Sequence, residues 1–380
     1  MAAPVYRKRT IGHLANEVDG AAMNTLCILG DVNADGYLDV VVSGRNGTMA
    51  WFEHPGGERP WEAAWRRHEI APIQNLECGG LVQALTASGY PDVINGGDYR
   101  SDELSWWENP GPAGGEWMRR VIARTGQTQF HDELIADLDG DGRLSLIFGN
   151  QGGGALYCVP LPADPRVSPW PGLEQISSER REAGLPEEGL ALADLDGDGR
   201  PELVAGTHWY RRGPGGWEAH RFASGYITTR VAVGDLDGDG RPEIVLAEGD
   251  ACIYGRPEGG RLSYFRAGPD LRAPWQEHVL AERLADPHSL QLGDLCGHGR
   301  LDLLVGEIGV RETYTQRPPR LMIFENDGRA GFTPQVIDAG TGAHNAWLAD
   351  LRGHGAVDIV TRPLHGPERW EIHAYFREGA

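Results

Sequence analysis

The chain has 380 residues, and its 54 glycines and 25 prolines are spread along it without a low-complexity block, which favours many short segments joined by turns. Its formal net charge of −20, without a local basic patch, excludes nucleic acid and anionic membranes as partners. Five cysteines without a C-x-x-C pair exclude a disulfide framework and a zinc knuckle.

The N-terminal stretch "MAAPVYRKRTIG" has no apolar segment of the secretory type, and no run of about 18 apolar residues occurs along the chain. We therefore expect a cytoplasmic protein that does not enter a membrane, or an extracellular one if a leader has been removed. Within this stretch, "YRKRTIG" resembles a strand signature that recurs further along the chain.

An acidic, glycine-containing turn followed by an apolar strand recurs along the chain. Its copies, such as "DLDGDGRPELVAG", begin at Asp31, Ala84, Asp137, Asp194, Asp235, Asp294 and Asp350. These seven starts are 41 to 59 residues apart, enough for four short strands and their loops. We expect an inner strand before each turn, a second and a third strand after it, and a fourth strand with signatures such as "WRRHEIA" and "WQEHVLA".

The repeat predicts an all-β fold, a seven-bladed β-propeller of four-stranded antiparallel blades that occupies residues 1–380 as a single domain. The chain starts with a fourth-strand-like segment and ends after the third strand of the seventh repeat, "WEIHAYF". The N-terminal strand is therefore expected to complete the last blade and to leave no free edge at the closure. The turns resemble the FG-GAP, or VCBS, repeats of seven-bladed propellers. That family includes adhesion heads, lectins and carbohydrate lyases, so the resemblance implies a fold and no single function.

Closely spaced carboxylates in a tight turn are typical of calcium sites, because oxygens at positions one, three, five and nine can surround Ca²⁺ at about 2.3–2.6 Å. Flanking strands and a missing glutamate at position twelve exclude an EF-hand. We expect structural calcium in four turns, formed by Asp31, Asn33, Asp35 and Asp39; by Asp137, Asp139 and Asp141; by Asp194, Asp196, Asp198 and Glu202; and by Asp235, Asp237, Asp239 and Glu243.

The other three turns are not expected to bind calcium. The turn at Ala84 is uncharged at its ligand positions, and Arg352 would place a cation where an ion belongs. Cys296 and His298 are interpreted as a turn that has lost its ion, with a transition-metal site as the less favoured alternative.

A residue six positions before each turn is expected to line the upper mouth of the central channel. In chain order these residues are Thr25, Cys78, His131, Glu188, Thr229, His288 and His344. Three imidazoles and a carboxylate from different blades thus point at one axis, which indicates a single central site. Glu133 is expected on the same strand face as His131, because side chains alternate with period two.

Loops between second and third strands open on the same face and add polar side chains. The predicted catalytic residues are His131, His208, His288, His344, Tyr99, Arg100 and Glu188. The predicted substrate-binding residues are Arg45, Asp98, Glu133, Arg230, Arg311, Tyr314 and His365. Such a set could hold one divalent zinc, manganese or magnesium ion; without a metal it supplies an acid, a base and an oxyanion-stabilising arginine.

Both schemes favour β-elimination from a sugar, because proton abstraction next to a carbonyl or carboxylate needs a base with a near-neutral pKa. "WFEHPG", "WWENPG" and the W-x-x-H-x-I strands resemble the propeller part of aldos-2-ulose dehydratases and the propeller-type polysaccharide lyases. The resemblance implies a saccharide or sugar-derived substrate in the upper funnel, and a carbon–oxygen lyase acting on a keto-sugar or a uronate-containing glycoside. Within that family the sugar-holding residues correspond here to His131, His208, His288, His344, Tyr99 and Arg100. The cupin half of the dehydratase is missing, so a second, isomerising step is not implied.

Three alternatives stay open: a glycoside hydrolase at the same site, a lectin, and an interaction propeller. Lectin propellers usually repeat their sugar sites between blades, and the differing funnel residues argue against that arrangement. An interaction propeller needs an apolar upper face, for which Trp106, Trp107, Trp209 and Trp347 are the candidates.

Overall fold

The computed structural model describes residues 4–15, 23–178, 181–182, 185–186, 188–310 and 316–379. These residues form strands, turns and loops, and they contain no helix. Accordingly, no described segment is a helix able to cross a lipid bilayer.

The strands are short, as the many glycines and prolines predict. In chain order they are β1 Tyr6–His13, β2 Met23–Gly30, β3 Asp39–Glu53, β4 Arg66–Asn75, β5 Leu81–Gln83, β6 Asp92–Gly96, β7 Glu103–Glu108, β8 Met118–Arg124, β9 Phe130–Ala136, β10 Ser145–Asn150, β11 Ala155–Pro160, β12 Glu174–Ser177, β13 Arg181–Glu182, β14 Leu185–Pro186, β15 Leu190–Ala193, β16 Glu202–Ala205, β17 His208–Gly213, β18 Gly216–Arg221, β19 Arg230–Gly234, β20 Glu243–Ala247, β21 Gly260–Arg266, β22 Gln276–Leu284, β23 Pro287–Gly293, β24 Asp302–Glu307, β25 Arg320–Asn326, β26 Phe332–Ala339, β27 Asn345–Ala349, β28 Asp358–Arg362 and β29 Glu371–Arg377.

Seven antiparallel blades form the ring, which confirms the predicted fold. Blades two to six are β5–β8, β9–β12, β15–β18, β19–β22 and β23–β26, and the small pair β13–β14 lies between blades three and four in the chain. In blade one, the long β3 supplies both middle strands: β2 pairs with its first part and β4 with its second, and Asn46 lies between them at φ 59°. Blade seven consists of β27, β28, β29 and the N-terminal β1.

The ring is closed by the first strand of the chain, as the sequence predicts. β1 pairs antiparallel with β29, with Tyr6 opposite Arg377 and His13 opposite Glu371. Contacts between inner strands run from β9 through β15, β19, β23, β27 and β2 to β5, and β6 contacts β9. The inner strands therefore surround one axis, on which the candidate site lies.

The apolar core lies between the blades. Seven clusters of buried apolar side chains occur in the described residues, one at each interface between neighbouring blades. Trp107 packs between blades one and two, Trp106 between two and three, and Trp209 between four and five. Each such ring buries a large apolar area and stabilises the fold by about 1.5–3 kcal/mol or more. These three tryptophans are buried, so the expectation that they could form an apolar upper face is wrong.

The W-x-x-H signature of the fourth strand has a structural explanation. His68, His220 and His278 each pack against an aromatic ring of the third strand of their own blade, with ring centroids 4.2, 4.2 and 4.5 Å apart; the first and third pairs are stacked and the second is tilted by 32°. The partner rings are Trp51, Trp209 and Tyr264. Cross-strand aromatic pairs of this kind stabilise a sheet, so these outer histidines belong to the scaffold.

Candidate functional site

The residues six positions before each turn meet at the axis. All seven are buried, and six of them line axial cavities: Thr25, Cys78, His131, Glu188, His288 and His344. Thr229 instead donates its hydroxyl to the main-chain oxygen of Glu188 at 2.6 Å. Inner strands of different blades thus bring these side chains together, as the repeat register predicts.

Two cavities lie on the axis, one above the other. The upper one has a volume of about 670 Å³, and the lower one about 400 Å³. Both are lined by Cys78, His131, His288 and His344, so these four residues form the constriction between them. The upper volume lies within the range of about 300–1,000 Å³ that is usual for small-molecule sites.

A β-bulge changes the direction of the strand below His131. Asp132 is the extra residue between the pairs His131–Gly149 and Glu133–Phe148, and its φ of 53° lies in the left-handed region. Its carboxylate accepts a hydrogen bond from the main-chain nitrogen of Gly189 at 2.8 Å. The simple alternation expected for His131 and Glu133 is therefore wrong, because a bulge breaks the period of two.

Glu133 lies in the wall of the lower cavity and faces blade two. Its Oε2 accepts a hydrogen bond from the main-chain nitrogen of Gly80 at 2.5 Å, and Oε1 has no hydrogen-bond partner among the described residues. A side chain at the neighbouring Gly79 would collide with Oε2 of Glu133, since the Cβ would lie 2.0 Å from it. Burial, together with the Asp132 carboxylate, raises the pKa of Glu133 to about 8.

A chain of charged groups connects blades four, five and six. Arg230 forms an ion pair with Glu188, and both side chains are at most a tenth exposed. The Nε of Arg230 donates to the main-chain oxygen of His288 at 2.7 Å, and its Nη2 contacts the His288 ring. Gln151 donates its amide to the other carboxylate oxygen of Glu188. Arg230 is therefore held in place by protein groups on several sides.

The three imidazoles differ in their protonation. Burial lowers the pKa of His131, but the Glu188 carboxylate, 3.8 Å from Nε2, and the contacts with Cys78 and Asp132 outweigh it and raise the pKa well above its ordinary value. Burial and the charge of Arg230 hold the pKa values of His288 and His344 well below their ordinary value. At neutral pH, His131 is thus a cation and the other two rings are neutral.

Hydrogen bonds fix the tautomer of each neutral ring. Nδ1 of His344 lies 3.2 Å from Oδ1 of Asn345, which only accepts, so Nδ1 carries the proton. Its Nε2 keeps a lone pair and lies 3.5 Å from Sγ of Cys78. Nδ1 of His288 donates to the main-chain oxygen of His344 at 3.1 Å, and the two rings stack with centroids 4.3 Å apart.

The mouth of the upper cavity carries an arginine and two tyrosines. Arg45 pairs with the buried Glu77, with Nε 2.8 Å from Oε2. Tyr99 is 54% exposed, and the guanidinium groups of Arg45 and Arg100 lie 5.5 and 4.9 Å from its ring centroid. Tyr254 lines the mouth at another side and is 45% exposed. These rings form an open, partly apolar rim.

Several predicted site residues do not reach the upper cavity. Asp98 is fully buried and binds Arg100, whose Nε lies 3.1 Å from Oδ2, so this pair organises its own loop. His208 opens β17, pairs with Ala205, and lies 3.2 Å from Thr207 Oγ1; it is not among the residues that line either axial cavity. His365 does line the upper cavity. Arg311 and Tyr314 lie outside the described residues.

Among the upper-cavity residues that sequence reasoning missed are Glu77, Gln151, Asp250 and Tyr254. Gln151 and Asp250 lie in loops between second and third strands, so the rule that selected Asp98 would also have selected them. Burial and the Glu188 carboxylate raise the pKa of Asp250 to about 7. Oδ1 of Asp250 lies 3.9 Å from Nε2 of His288, which adds a titratable carboxyl group to the site.

The charge of Arg230 affects whether the divalent ion expected from the sequence can bind in the central funnel. Ligand atoms of Glu188, Asp250 and His288 lie within 4.8 Å of one another, close enough to share a metal. However, Arg230 contacts both Glu188 and His288, so a guanidinium already supplies the positive charge between them. A dication there would be repelled by that charge. This argument applies to the Glu188 cluster alone; ligand atoms of Glu77, Cys78 and His131 form a second group within 4.8 Å of one another.

The acidic turns lie at the opposite end of the inner strands and share one pattern. In blade one, Asp31 accepts main-chain hydrogen bonds from Asp35 and Gly36 at 2.9 and 2.8 Å, and Asp39 accepts one from Val32 at 2.9 Å. The same bonds recur in turns without a calcium ligand set, such as the one that begins at Asp350. The first carboxylate of the turn thus organises the main chain whether or not an ion is bound.

Arginines also neutralise some of these turns. In blade four, Arg211 lies 2.7 Å from Asp196 and 2.9 Å from Asp198, and in blade five Arg266 lies 3.0 Å from Glu243. In blade seven, Arg352 pairs with Asp358 through two hydrogen bonds of 3.0 and 2.8 Å, so a guanidinium lies at the expected ion position.

Comparisons with known proteins agree with this architecture. A family model for the FG-GAP-like repeat matches residues 194–246, and a search of curated proteins found no match. Similar solved structures include rhamnogalacturonan lyase YesW (16% identity, TM-score 0.53, covering 98% of this chain and 75% of that one). Others are the V. cholerae biofilm matrix protein Bap1 (9%, 0.56, 98% and 91%) and BBS1N in complex with ARL6DN (10%, 0.54, 98% and 99%). At these identities the likeness shows the fold alone. The chain is therefore a seven-bladed β-propeller with FG-GAP-like repeat sequence in its fourth and fifth blades.

Proposed function

We propose that the protein is a carbohydrate lyase that eliminates an oxygen substituent β to the carboxylate or keto group of a sugar bound in the upper axial cavity. The observation that carries the proposal is that two imidazoles lining this cavity have opposite surroundings: Nε2 of His131 lies 3.8 Å from the Glu188 carboxylate, which raises the pKa of His131, whereas burial and the charge of Arg230 lower the pKa of His344. Titratable groups pushed apart in one site are the usual arrangement of a general acid and a general base.

In the proposed reaction, Nε2 of His344 removes the proton from the carbon next to the carboxylate or keto group. The electron pair of this C–H bond forms a carbon–carbon double bond, and the bond from the β carbon to its oxygen substituent breaks. His131 gives its proton to the departing oxygen. Each of these proton transfers typically contributes about 10²–10⁴-fold to the rate. Proton exchange with solvent then returns His344 to its neutral form and His131 to its protonated form.

The mouth of the cavity suits an anionic sugar. Arg45 lines the upper cavity beside Tyr99 and, although it is paired with Glu77, places a positive charge at the mouth through which a carboxylate would enter. The exposed rings of Tyr99 and Tyr254 can pack against the apolar face of a sugar. A fold similar to that of rhamnogalacturonan lyase YesW is consistent with such a substrate.

The proposed scheme needs no metal at the axis, because Arg230 already provides the positive charge beside Glu188 and His288. Arg230 is a positioning residue in this scheme. It keeps His288 neutral and holds Glu188 next to His131, whose proton Glu188 stabilises.

The proposal is tested by incubating the protein with rhamnogalacturonan and other uronate-containing polysaccharides. An unsaturated product, detected by ultraviolet absorbance and mass spectrometry, is expected. His344→Gln and His131→Gln should each lower turnover by about 10²–10⁴-fold, whereas His13→Gln, at the exposed outer edge of blade seven, should not. New reducing ends without unsaturation would instead indicate a hydrolase, and sugar binding without any product would indicate a lectin.

The pH profile is a second readout. Because His344 must be neutral, activity should fall only when the pH drops through its lowered pKa. Because His131 must be protonated, activity should fall when the pH rises through its raised pKa. The expected plateau therefore spans neutral pH.

We also propose that calcium binds in the acidic turns and stabilises the blades without taking part in catalysis. Carboxylate oxygens of Asp194, Asp196 and Glu202 lie within 4.8 Å of one another, a donor set of the hard oxygen type that Ca²⁺ prefers. Arg211, which pairs with Asp196 and Asp198 and is 39% exposed, would turn out into solvent when the ion binds. The turns lie at the end of the inner strands opposite to His131, so they cannot contact a sugar in the upper cavity.

A further inference from the structure

The acidic turn of blade six contains a sulfur and an imidazole where other blades carry carboxylates. We propose that Cys296, His298 and Glu325 bind a transition-metal ion, with zinc as the best match. Ligand atoms of these three residues lie within 4.8 Å of one another. This site is independent of the proposed axial function.

The main chain of this turn is the same as in the calcium-type turns. Asp294 accepts hydrogen bonds from the main-chain nitrogens of His298 and Gly299 at 2.8 and 2.9 Å, as Asp31 does in blade one. Asp302 accepts one from the main-chain nitrogen of Cys296 at 2.9 Å. The turn therefore keeps its shape, and only the chemistry of positions three and five has changed.

His298 is buried without a hydrogen bond. Its side chain is only 4% exposed, and neither ring nitrogen has a hydrogen-bond partner among the described residues. The nearest carboxylate oxygens, on Asp302 at 3.2 Å from Nε2 and on Asp294 at 3.6 Å from Nδ1, are close but accept no hydrogen bond from the ring. A buried polar group without a partner costs about 1–3 kcal/mol, which a metal bond would offset.

Glu325 lies on the third strand opposite the ninth residue of the turn, a position that holds a carboxylate in blade two, Glu108, and an arginine in blades four and five. The strand register puts Glu325 at the place held by Arg211 in blade four and Arg266 in blade five. There, the arginines pair with the carboxylates of their turns. In blade six, the Glu325 carboxylate lies within 4.8 Å of the Cys296 thiol and the His298 imidazole, so one cation could take a ligand from each of the three. Arg377 of blade seven meets this turn at its main chain, where it donates to the oxygen of Cys296 at 2.8 Å.

The donor set selects the kind of ion. Calcium prefers oxygen ligands only, whereas thiolate and imidazole suit zinc and its neighbours. Zinc–sulfur and zinc–nitrogen bonds of about 2.3 and 2.0–2.1 Å put the two ligand atoms about 3.5 Å apart in a tetrahedron. The ligand atoms of Cys296, His298 and Glu325 lie within 4.8 Å of one another, and a water or Asp302 can complete the coordination.

The test is titration of the purified full chain, freed of metal with a chelator and returned to calcium-containing buffer, with Co²⁺. About one Co²⁺ per chain should bind, with the intense visible bands of a tetrahedral site and a thiolate charge-transfer band in the ultraviolet. Cys296→Ser should remove the charge-transfer band, and His298→Ala and Glu325→Gln should weaken Co²⁺ binding at least about 10–100-fold. Cys252→Ser, at a half-buried cysteine in blade five, should change nothing.

Two results would overturn the inference. One is the absence of a charge-transfer band in the unmodified chain. The other is a band that survives Cys296→Ser and is lost in Cys78→Ser, because the ion would then lie at the axis beside His131. Circular dichroism of each metal-free variant establishes that it is folded. If Cys296→Ser does not fold, the weaker Co²⁺ binding of Glu325→Gln still tests the site.

Discussion

The buried Glu188–Arg230 pair should control the stability of the axial site more strongly than any exposed ion pair. The two side chains are 5% and 10% exposed, and Arg230 also donates to the main-chain oxygen of His288 at 2.7 Å. Arg230→Met leaves the Glu188 carboxylate buried without the guanidinium that contacts it, and the imidazole of His131 is 3.8 Å away. Removing one partner of a buried pair costs about 3–5 kcal/mol, mostly because the remaining charge stays desolvated.

The double variant Glu188→Leu/Arg230→Met removes both charges and should be clearly less destabilised than the sum of the single variants. Urea unfolding, followed by tryptophan fluorescence, measures the change in the free energy of unfolding. Arg59→Met serves as the control, because Arg59 and Glu62 pair on the surface with side chains more than half exposed, and its stability should be nearly unchanged. Additivity of the two single variants within about 0.5 kcal/mol would refute the assigned coupling.

Three further predictions concern the scaffold. The pKa of Glu133 is raised from 4.5 to about 8, so the free energy of unfolding should fall as the pH rises from about 4.5 to 8. Glu133→Gln should reduce this fall in urea unfolding measured at several pH values, and an unchanged dependence on pH would contradict the assignment. Gly96→Ala should destabilise by about 1–3 kcal/mol, because its Cβ would lie 2.1 Å from Cβ of Phe130, whereas Gly215→Ala meets no atom within 4 Å and should be neutral in the same assay. Added Ca²⁺ should raise the midpoint of thermal unfolding, and Asp194→Asn should diminish that shift; an equal shift in both proteins would argue against calcium in this turn.

The propeller could be predicted from the sequence because its signal is repeated. The turn spacing fixes the strand order of each blade. The seventh repeat has no fourth strand of its own, and the N-terminal "YRKRTIG" resembles one, so the sequence predicts that β1 pairs with β29. The convergence of His131, His288 and His344 followed from the same register, because one offset before each turn selects one depth in the channel.

The errors have local physical causes. His208 was expected in a loop, but only Gly206 and Thr207 separate β16 from β17, so His208 begins the strand and pairs with Ala205. Glu133 left the expected face because Asp132 forms a bulge, which the period-two rule does not anticipate. Trp106, Trp107 and Trp209 were treated as possible surface residues, although large rings at blade interfaces bury most of their area.

The partners in the axial cluster could not be predicted, because they depend on which loops meet across the channel. Gln151 and Asp250 come from loops of blades three and five, and each contacts or approaches a residue of another blade. The opposite pKa shifts of His131 and His344 arise from this assembly, in which Glu188 lies near one ring and Arg230 acts on the other. A repeat fixes where a side chain lies, but the charge of its neighbours decides its chemistry.

The same separation of position and chemistry applies at the turns. The turns that begin at Asp31, Asp294 and Asp350 keep the same main-chain hydrogen bonds, although the residues at positions three and five differ. The turns differ in the group that balances the negative charge of the carboxylate at position nine. This carboxylate is buried, and a buried charge without a partner destabilises the fold. Arg352 does so in blade seven with its guanidinium, and Arg266 does so in blade five from the third strand. In blade six, Asp302 accepts hydrogen bonds from the main-chain nitrogens of Cys296 and Asn326, and the titratable group beside it is the imidazole of His298 at 3.2 Å. A metal held by that imidazole, as proposed above, would meet the same electrostatic need, while the main-chain hydrogen bonds to Asp294 and Asp302 keep the shape of the turn.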